Sequence, residues 1–380
     1  MNIQTDFVRS LPGDPRALTI KKNYLRRWHI DGPLLVLILI ITLVGLFVLY
    51  SASGRDLNLF LKQTVNLTIA FLAMLLIAQF KLKTLKTLTP LGYIFGLLLL
   101  IFVVFFGTGA KGAQRWLDVF GIFTFQPSEL MKIVVPLTVA AYLSEELLPP
   151  HIKITSISFL ITLVPCFLIF IQPDLGTSIL IGFSGFFVIW LAGVGWYFLM
   201  TMLAFLTFLS WPVWAFVLHS YQKQRILTLF NPENDKLGAG WNIIQSKTAI
   251  GSGGWDGKGW LNGTQSHLDF LPESHTDFII AVLAEEFGFF GVFLLLLIYS
   301  LIIIRGAVIA VSASTTYGRL VAGSITLTFF IYVVVNMGMV SGMLPVVGVP
   351  LPFISYGGTA LVTMMVSFGI LMSISTDESA

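Results

Sequence analysis

The sequence predicts an all-α polytopic membrane protein, and three observations support this fold class. Hydrophobic residues make up 56% of the chain and charged residues only 11%, a balance that soluble globular domains do not have. The mean hydropathy is +0.89. Ten apolar runs are each about 17 to 25 residues long, the length that a helix needs to cross the hydrocarbon core of a bilayer. We therefore expect ten transmembrane helices.

The ten predicted helices begin near positions 33, 60, 91, 127, 155, 176, 197, 278, 320 and 352. The first run starts too late and is too long for a cleaved signal peptide, so we expect it to stay in the chain. The eighth helix is expected to cover 278–304, followed by a connection from Arg305 to Arg319. A large loop separates helix 7 from helix 8.

These helices divide the chain into five predicted segments. They are a basic cytoplasmic N-terminal tail at 1–32, transmembrane helices 1 to 7 at 33–218, a large extracytoplasmic loop at 219–277, transmembrane helices 8 to 10 at 278–374, and a cytoplasmic C-terminal tail at 375–380.

Basic residues set the expected orientation, because cytoplasmic loops carry an excess of Lys and Arg. They cluster in the N-terminal tail, after helix 2 and after helix 8. The residues are Arg9, Arg16, Lys21, Lys22, Arg26, Arg27, Lys81, Lys83, Lys86, Arg305 and Arg319. With ten spans both termini lie in the cytoplasm, and the polar motifs lie on the outer face.

Several classes of function are excluded. A net charge of +3 from scattered basic residues does not suit a nucleic-acid partner. The single cysteine, Cys166, leaves neither a disulfide nor a thiolate cluster. GSGGWDGKG is not a phosphate loop, because Ser252 and Gly259 occupy positions that need Gly and Ser or Thr. His267 and His275 lack the spacing of a zinc site. No nucleotide or organic cofactor is expected.

Two similar motifs, FQPSE and IQPDL, place Gln-Pro before an acid at the start of a predicted helix. Helix capping by Ser128 or Asp174 explains part of this pattern. Lys132 needs a further explanation, because a lysine at membrane depth costs about 2.5 to 3.5 kcal/mol unless it faces a cavity or an acid. It follows Glu129 by three residues on one helical face. A structural ion pair is one interpretation, and a polar cavity lined by Glu129, Lys132 and Asp174 is the better one.

KGAQRWLD places Arg115 beside Trp116 near the outer interface. Both residue types are common at membrane boundaries, where Trp forms a belt and Arg reaches the headgroups. The functional interpretation is that the guanidinium binds phosphate while the indole stacks on a sugar or a lipid. In the large loop, Lys258 is a further candidate for binding the substrate. Ser355, in LPVVGVPLPFISYGG, is assigned to substrate binding as well.

LPESHTDFIIAVLAEE contains Glu273, His275 and Asp277 where a polar loop meets an apolar helix. Capping explains one Asp or Ser here, but not three titratable residues within five positions. A half-desolvated carboxylate near a cation is suited to general-base catalysis, so Asp277 is the predicted base, and Glu273 and His275 are assigned to substrate binding. Glu285 and Glu286 lie deeper in the helix and are expected to have structural partners.

Six motifs resemble those of the SEDS family (shape, elongation, division and sporulation), and within it the RodA branch rather than the division branch FtsW. They are KGAQRWLD, FQPSELMK, QPDLGTS, GKGWLNGTQ, LPESHTDFIIAVLAEEFG and LPVVGVPLPFISYGGT, in that order. The resemblance covers nearly the whole chain. It implies a peptidoglycan polymerase of the bacterial cytoplasmic (inner) membrane, which joins lipid II disaccharide units into glycan strands on the outer face during cell elongation.

By that resemblance Asp277 is the essential carboxylate, and KGAQRWLD is a motif important for activity. Glu129, Lys132 and Asp174 correspond to polar residues of a central cavity. The implied partners are lipid II, a class B penicillin-binding protein that crosslinks the strands as a transpeptidase, and other membrane proteins of the elongation complex.

The implied reaction needs a base for the acceptor hydroxyl and positive charge for the departing diphosphate. Asp277 is the expected base. The charge comes from Lys132, Arg115, Lys258 or a divalent cation such as Mg²⁺ or Mn²⁺, for which the sequence identifies no ligands. The alternative function is a lipid II flippase, because an intramembrane ion pair suits a transporter too. Alternating access needs polar residues along the whole crossing, and the plain cytoplasmic connection LAGVGW at 191–196 favours the polymerase.

Overall fold

The structure is a computed structural model that describes residues 28–110, 113–119, 123–218, 220–235, 238–267 and 273–377. Residues 1–27 of the predicted basic tail, Lys111, and residues 268–272 of the large loop lie outside the described residues. Within the described part, eight helices are long and apolar enough to cross a membrane. The chain is therefore a multi-pass membrane protein.

The long helices follow one another in the predicted order, with three strands that were not predicted and three further helices in the large loop. They are α1 (Gly32–Ala52), α2 (Leu57–Ala78), α3 (Leu82–Phe106), β1 (Thr108–Ala110), β2 (Ala113–Val119), β3 (Phe123–Phe125), α4 (Pro127–Leu143), α5 (Ile152–Ile171), α6 (Leu175–Leu191), α7 (Trp196–Pro212), α8 (Ser220–Phe230), α9 (Ala239–Gly253), α10 (Thr264–His267), α11 (Ile279–Ser312), α12 (Thr316–Val340) and α13 (Thr359–Thr376). A π-helix, Val213–Val217, continues α7.

Three predicted boundaries are wrong. The third helix begins at Leu82 rather than near 91, because the polar KLKTLKTL continues the apolar run as helix. The last helix begins at Thr359 rather than near 352, since the prolines and glycines of 350–358 interrupt it. Arg305 lies inside α11, which runs to Ser312, and not in a connection.

Arg305 is accommodated inside a helix because it pairs with the residue that caps α1. Its Nε and NH2 atoms donate to the two carboxylate oxygens of Asp31 at 3.0 and 2.5 Å. Asp31 also accepts from the N–H of Leu34 at 3.0 Å and so caps α1. The pair fastens one end of α11 to the start of α1.

A small antiparallel sheet with the order β1-β2-β3 adds to the helical fold between α3 and α4. Thr108 pairs with Trp116, and Leu117 with Phe125. Aromatic and β-branched residues favour such pairing. The central strand carries Arg115 and Trp116 and contacts both α3 and α4, so it places these two residues of the KGAQRWLD motif near α4.

The helices pack closely around α12 and α13. The α13 helix packs on α2, and Gly369 faces the backbone of Met74, where any larger residue would collide. The rings of Phe329, Phe353 and Phe368 form a cluster with centroids 5.1 to 5.6 Å apart. These contacts hold the segment 342–358 against the helix bundle.

Gly288 breaks α11 near its start with φ 60° and ψ −156°, angles that suit glycine. The break frees backbone groups, and the loop segment 254–259 binds them. The carbonyls at 285 and 286 accept hydrogen bonds from this segment at 2.9 Å each, and the N–H groups at 289 and 290 donate back to it at 2.9 and 3.2 Å. Part of the large loop is thus fixed to α11.

Candidate active site

The first two turns of α4 place Glu129 and Lys132 on one face, as their spacing predicts. The ammonium of Lys132 lies 2.5 Å from Glu129 Oε1, and both side chains are largely buried. Lys132 also lies 5.3 Å from the ring centroid of Tyr332 in α12. Within the described residues, Glu129 Oε2 is buried without a hydrogen-bond partner. The pair therefore keeps an unused acceptor.

Asp174 caps α6 and also contacts the residues that follow the small sheet. Its carboxylate accepts from the N–H of Thr177 at 3.3 Å and from Gln126 Nε2 at 3.2 Å. Arg115 NH1 lies 3.7 Å from Asp174 Oδ1, and its NH2 donates to the carbonyl of Pro173 at 2.5 Å. The Asp174 carboxylate therefore both caps α6 and forms an ion pair with Arg115.

These charged side chains line one cavity of about 250 Å³, which we call the central cavity. The predicted site residues in its wall are Arg115, Trp116, Glu129, Lys132 and Asp174. Gln126, Tyr332 and the segment 357–360 complete the wall. A smaller cavity next to it also touches Glu129 and Lys132, and Ser355 lies in its wall. Five of the predicted residues are thus brought together, and a sixth lies close by.

Ser355 joins the segment 350–358 to the turn before α11. Its hydroxyl donates to the carbonyl of Thr276 at 2.6 Å and accepts from the N–H of Leu351 at 2.8 Å. The N–H of Tyr356 donates to the carbonyl of His275 at 2.9 Å, and the two rings lie edge to face at 6.1 Å. These contacts fix the turn that carries Asp277.

Asp277 is half-buried beside Gly348, a residue of the central-cavity wall, but is not itself among the residues that line the cavity. Helix α11 is capped at Phe278 without a side-chain hydrogen bond, so the Asp277 carboxylate is not used for capping. The Asp277 carbonyl accepts from Asn336 Nδ2 at 2.8 Å. Oδ2 lies 3.4 Å from the position that a Cβ atom would take on Gly348, a residue of the cavity wall.

The surroundings of Asp277 make its carboxylate a stronger base than in water. Burial raises its pKa to about 6, and the nearby carboxylate of Glu273 also raises it. The guanidinium of Arg225 acts in the opposite direction. Glu273 itself accepts from Thr276 Oγ1 at 2.8 Å. At neutral pH the group is ionised, and its basicity is close to the optimum for general-base catalysis.

Lys258 lies in a different cluster, at the contact between the large loop and α11. Its ammonium is 2.6 Å from Glu285 Oε1. Glu285 is fully buried and also accepts from the backbone N–H groups of 264–265. Glu286 accepts from the hydroxyl of Ser51. The structural partners predicted for Glu285 and Glu286 are confirmed, and Lys258 is not among the residues that line the central cavity.

Sequence reasoning missed Asn336, Tyr332 and Arg225. Asn336 is fully buried, and its Nδ2 donates to the carbonyls of Asp277 and Val349 at 2.8 and 2.7 Å. A polar residue in the apolar run VVVNMG is expensive in a membrane and is a signal that predicts a function. Arg225 gives only a weak signal in the sequence, because it lies among other basic residues in a long loop.

The described residues around the central cavity offer few ligands for a divalent cation. No group of three or more His, Cys, Asp or Glu residues converges within the described part of the chain. The two acids of the central cavity, Glu129 and Asp174, each lie beside a cation. A cation of the Mg²⁺ type, which binds one or two carboxylates and takes its remaining ligands from phosphates and water, is compatible with these two acids and stays a prediction.

Known proteins are similar to this chain over nearly its whole length. The family model of FtsW, RodA and SpoVE, described as a cell cycle protein, matches residues 33–380. The peptidoglycan glycosyltransferase MrdB of Escherichia coli (strain K12) is 48% identical over 356 residues, which cover 94% of this chain and 96% of that protein.

Two solved structures have a similar fold. A chain of a peptidoglycan synthase complex that coordinates polymerization and crosslinking has a TM-score of 0.80 and 30% identity, covering 91% of this chain and 97% of that chain. The rod shape determining protein RodA of Thermus thermophilus has a TM-score of 0.71 and 28% identity, covering 92% of this chain and 98% of that chain.

Proposed function

Since the chain belongs to the SEDS family of FtsW, RodA and SpoVE and is a peptidoglycan glycosyltransferase, we propose that it joins lipid II disaccharide units into glycan strands during cell elongation, with Asp277 as the general base. The observation that carries the proposal is the position of Asp277. Its carboxylate has a raised pKa and lies next to Gly348, in the wall of the cavity that Lys132 and Arg115 also line.

The proposed reaction is a single displacement. Asp277 accepts the proton of the acceptor sugar hydroxyl as that oxygen attacks the anomeric carbon of the donor sugar. The bond between this carbon and the lipid diphosphate breaks, and the diphosphate leaves with the electron pair. The anomeric carbon is inverted in one step, so no covalent intermediate is required.

The leaving diphosphate is stabilised by positive charge in the central cavity. Arg115 and Lys132 are balanced there by Asp174 and Glu129, so the wall has no net charge when the cavity is empty. The diphosphate competes with the two acids for the two cations. A divalent cation, if it takes part, would supply further positive charge and take Glu129 or Asp174 as ligands. Lys258 remains a predicted binding residue, although Glu285 holds its ammonium.

We place the site on the outer face of the cytoplasmic (inner) membrane, with both termini in the cytoplasm. The 17-residue helices α4 and α6 are about 25 Å long and would bring the number of spans from eight to ten. Lys83 and Lys86 lie in the first turns of α3, and the sheet with Arg115 follows its last turn. Basic residues and cavity are thus at opposite ends of α3, which supports this orientation.

The proposed partner is a class B penicillin-binding protein, which would crosslink the new strands, together with other membrane proteins of the elongation complex. Support for it comes from the similar chain in a peptidoglycan synthase complex.

The test is polymerisation by the purified protein together with a class B penicillin-binding protein whose transpeptidase is blocked. With fluorescent lipid II we expect a ladder of glycan strands on a gel. A flippase would instead move labelled lipid II across vesicles, exposing it to a membrane-impermeant quencher, and would make no strands. Transport without strand synthesis would overturn the proposal.

A further inference from the structure

A second cavity adjoins the central cavity and shares Arg115 and Asp174 with it. This side cavity has a volume of about 230 Å³. Arg225, from α8, lies in its wall, opposite the start of α6, and the apolar segment 345–347 completes the wall. The mechanism above does not use this cavity.

The side cavity carries an excess of positive charge. Its charged lining residues are two cations, Arg115 and Arg225, and one anion, Asp174, whereas the lining of the central cavity has two of each. The carboxylate of Asp277, which is not part of this wall, also interacts with Arg225. Arg115 Nε is buried without a hydrogen-bond partner among the described residues. One guanidinium group can donate two parallel hydrogen bonds to two phosphate oxygens, so two arginines favour an anion with several oxygens.

Apart from Gln222, the remaining wall of the side cavity is apolar. Ile179 and Ile226 belong to it, and Ile179 is 49% exposed on the outside of the helix bundle. A positive end next to an apolar wall matches the junction between a diphosphate and a prenyl chain. An inorganic anion would gain nothing from these apolar side chains.

We propose that the side cavity is a second diphosphate site, in which Arg115 and Arg225 bind the diphosphate of a prenyl-linked substrate. The inference rests on the proposed function, because glycan polymerisation brings two lipid-linked molecules together and each carries its own diphosphate. One diphosphate occupies the central cavity beside Lys132, and the other occupies the side cavity. Arg115, at the boundary, contacts both.

The test is the binding stoichiometry of farnesyl diphosphate to the full-length protein in detergent, measured by titration calorimetry. We expect two equivalents for the unmodified protein. In Arg225→Gln one of the two sites should weaken about 10- to 100-fold, the effect of losing a hydrogen bond to a charged group. Arg225→Lys keeps the charge but not the guanidinium fork, so it should weaken that site less.

Lys223→Gln is the matched control. Lys223 lies on the same helix and loses the same charge, but its ammonium donates to the carbonyl of Ala215 at 3.3 Å and does not line the cavity. We expect it to keep both sites. If Arg225→Gln does not fold, as judged by its melting temperature, Arg225→Lys provides the comparison with the control.

Other outcomes would overturn the inference. One equivalent bound by the unmodified protein, or two sites of unchanged affinity in both Arg225 variants, would exclude a second site at Arg225. Equal affinity for inorganic pyrophosphate would exclude a prenyl-linked ligand. If two equivalents bind but no glycan is made from lipid II, the proposed function is contradicted and the second diphosphate site is supported. If glycan is made but only one equivalent binds, the proposed function is supported and the second site is contradicted.

Discussion

Two ion pairs of the same chemistry differ in how many hydrogen bonds their buried carboxylates accept. Lys132 lies 2.5 Å from Glu129 at the central cavity, and Lys258 lies 2.6 Å from Glu285 at the large loop. Glu285 also accepts from the hydroxyl of Thr264 and from two backbone N–H groups. Glu129 accepts only from Lys132, and its Oε2 has no partner among the described residues.

This difference in hydrogen bonding suggests that Glu285 has a structural role and that Glu129 is available to a ligand. A buried acceptor without a partner costs free energy, so its persistence needs a reason such as binding or catalysis. The Asp277 carboxylate also accepts no hydrogen bond within the described residues and is not used for capping, but its oxygens, unlike Glu129 Oε2, are not fully buried. We expect substitutions at the cavity to reduce activity and substitutions at the loop to reduce stability.

The largest effect is expected for Asp277→Asn. Asparagine keeps the size of the side chain but cannot take a proton. A positioned general base contributes about 100- to 10,000-fold in rate, so glycan synthesis from lipid II should fall by that factor. Gel analysis at equal protein amounts, with the penicillin-binding partner present, measures it. Strand synthesis equal to that of the unmodified protein would rule out Asp277 as the base.

The same variant should unfold at a higher temperature than the unmodified protein at pH 7.5. The folded-state pKa of Asp277, about 6, is above its ordinary value of 3.8. Its stabilising contribution is therefore complete below pH 3.8 and is lost as the pH rises through 6. Asparagine carries no charge to desolvate. The difference in melting temperature should disappear at pH 4, and a variant that is less stable at pH 7.5 would contradict the burial argument.

Lys132→Met should lower polymerisation about 100-fold, since the leaving diphosphate loses one stabilising cation. It should also destabilise the fold, because Glu129 is left buried without its partner. The double variant Glu129→Leu, Lys132→Met should recover the melting temperature while remaining inactive. Full activity of the double variant would show that Glu129 and Lys132 have only a structural role, like Glu285 and Lys258.

The residues around the central cavity were predictable from the sequence wherever a polar side chain interrupts an apolar run. Lys132 and Asp174 are such cases, and the structure brings them to one cavity. Arg115 was predictable as an interfacial cation, but its strand was not, because a seven-residue segment in a connection gives little periodicity. The break at Gly288 was not predictable either, since the apolar pattern continues through it.

Tertiary contacts explain what the sequence could not show. Lys258 and Lys132 are both lysines near acids, and only the fold shows that Lys258 is bound to Glu285, 27 residues away. The end of α11 was mispredicted because Arg305 normally indicates a polar connection. Its partner, Asp31, is 274 positions away in the sequence.

Polymerisation should fall about tenfold between pH 7 and pH 5. Asp277 must be ionised to accept a proton, and its pKa of about 6 means that the ionised fraction falls as the pH passes below 6. Initial rates measured from pH 5 to pH 8 at lipid II well below saturation, where they report kcat/KM and so the free enzyme, check this. The residual rate of Asp277→Asn should not share this dependence. A profile that is flat down to pH 5 in the unmodified protein would contradict the assignment.

The smallest effect on activity is expected for Glu285→Gln. Glutamine can still accept from the N–H groups at 264 and 265 but no longer balances Lys258, whose side chain is 27% exposed. We expect a loss of about 1 to 3 kcal/mol in the free energy of unfolding, below the 3 to 5 kcal/mol of a fully buried pair, because water screens the lysine. The rate of the folded protein should change less than about threefold, since Glu285 does not line the central cavity.

The double variant Glu285→Gln, Lys258→Met should recover part of the stability. A Glu285→Gln protein that folds but polymerises 100-fold more slowly would contradict this expectation. It would show that the pair of Glu285 and Lys258 also contributes to catalysis, as the pair of Glu129 and Lys132 is proposed to do.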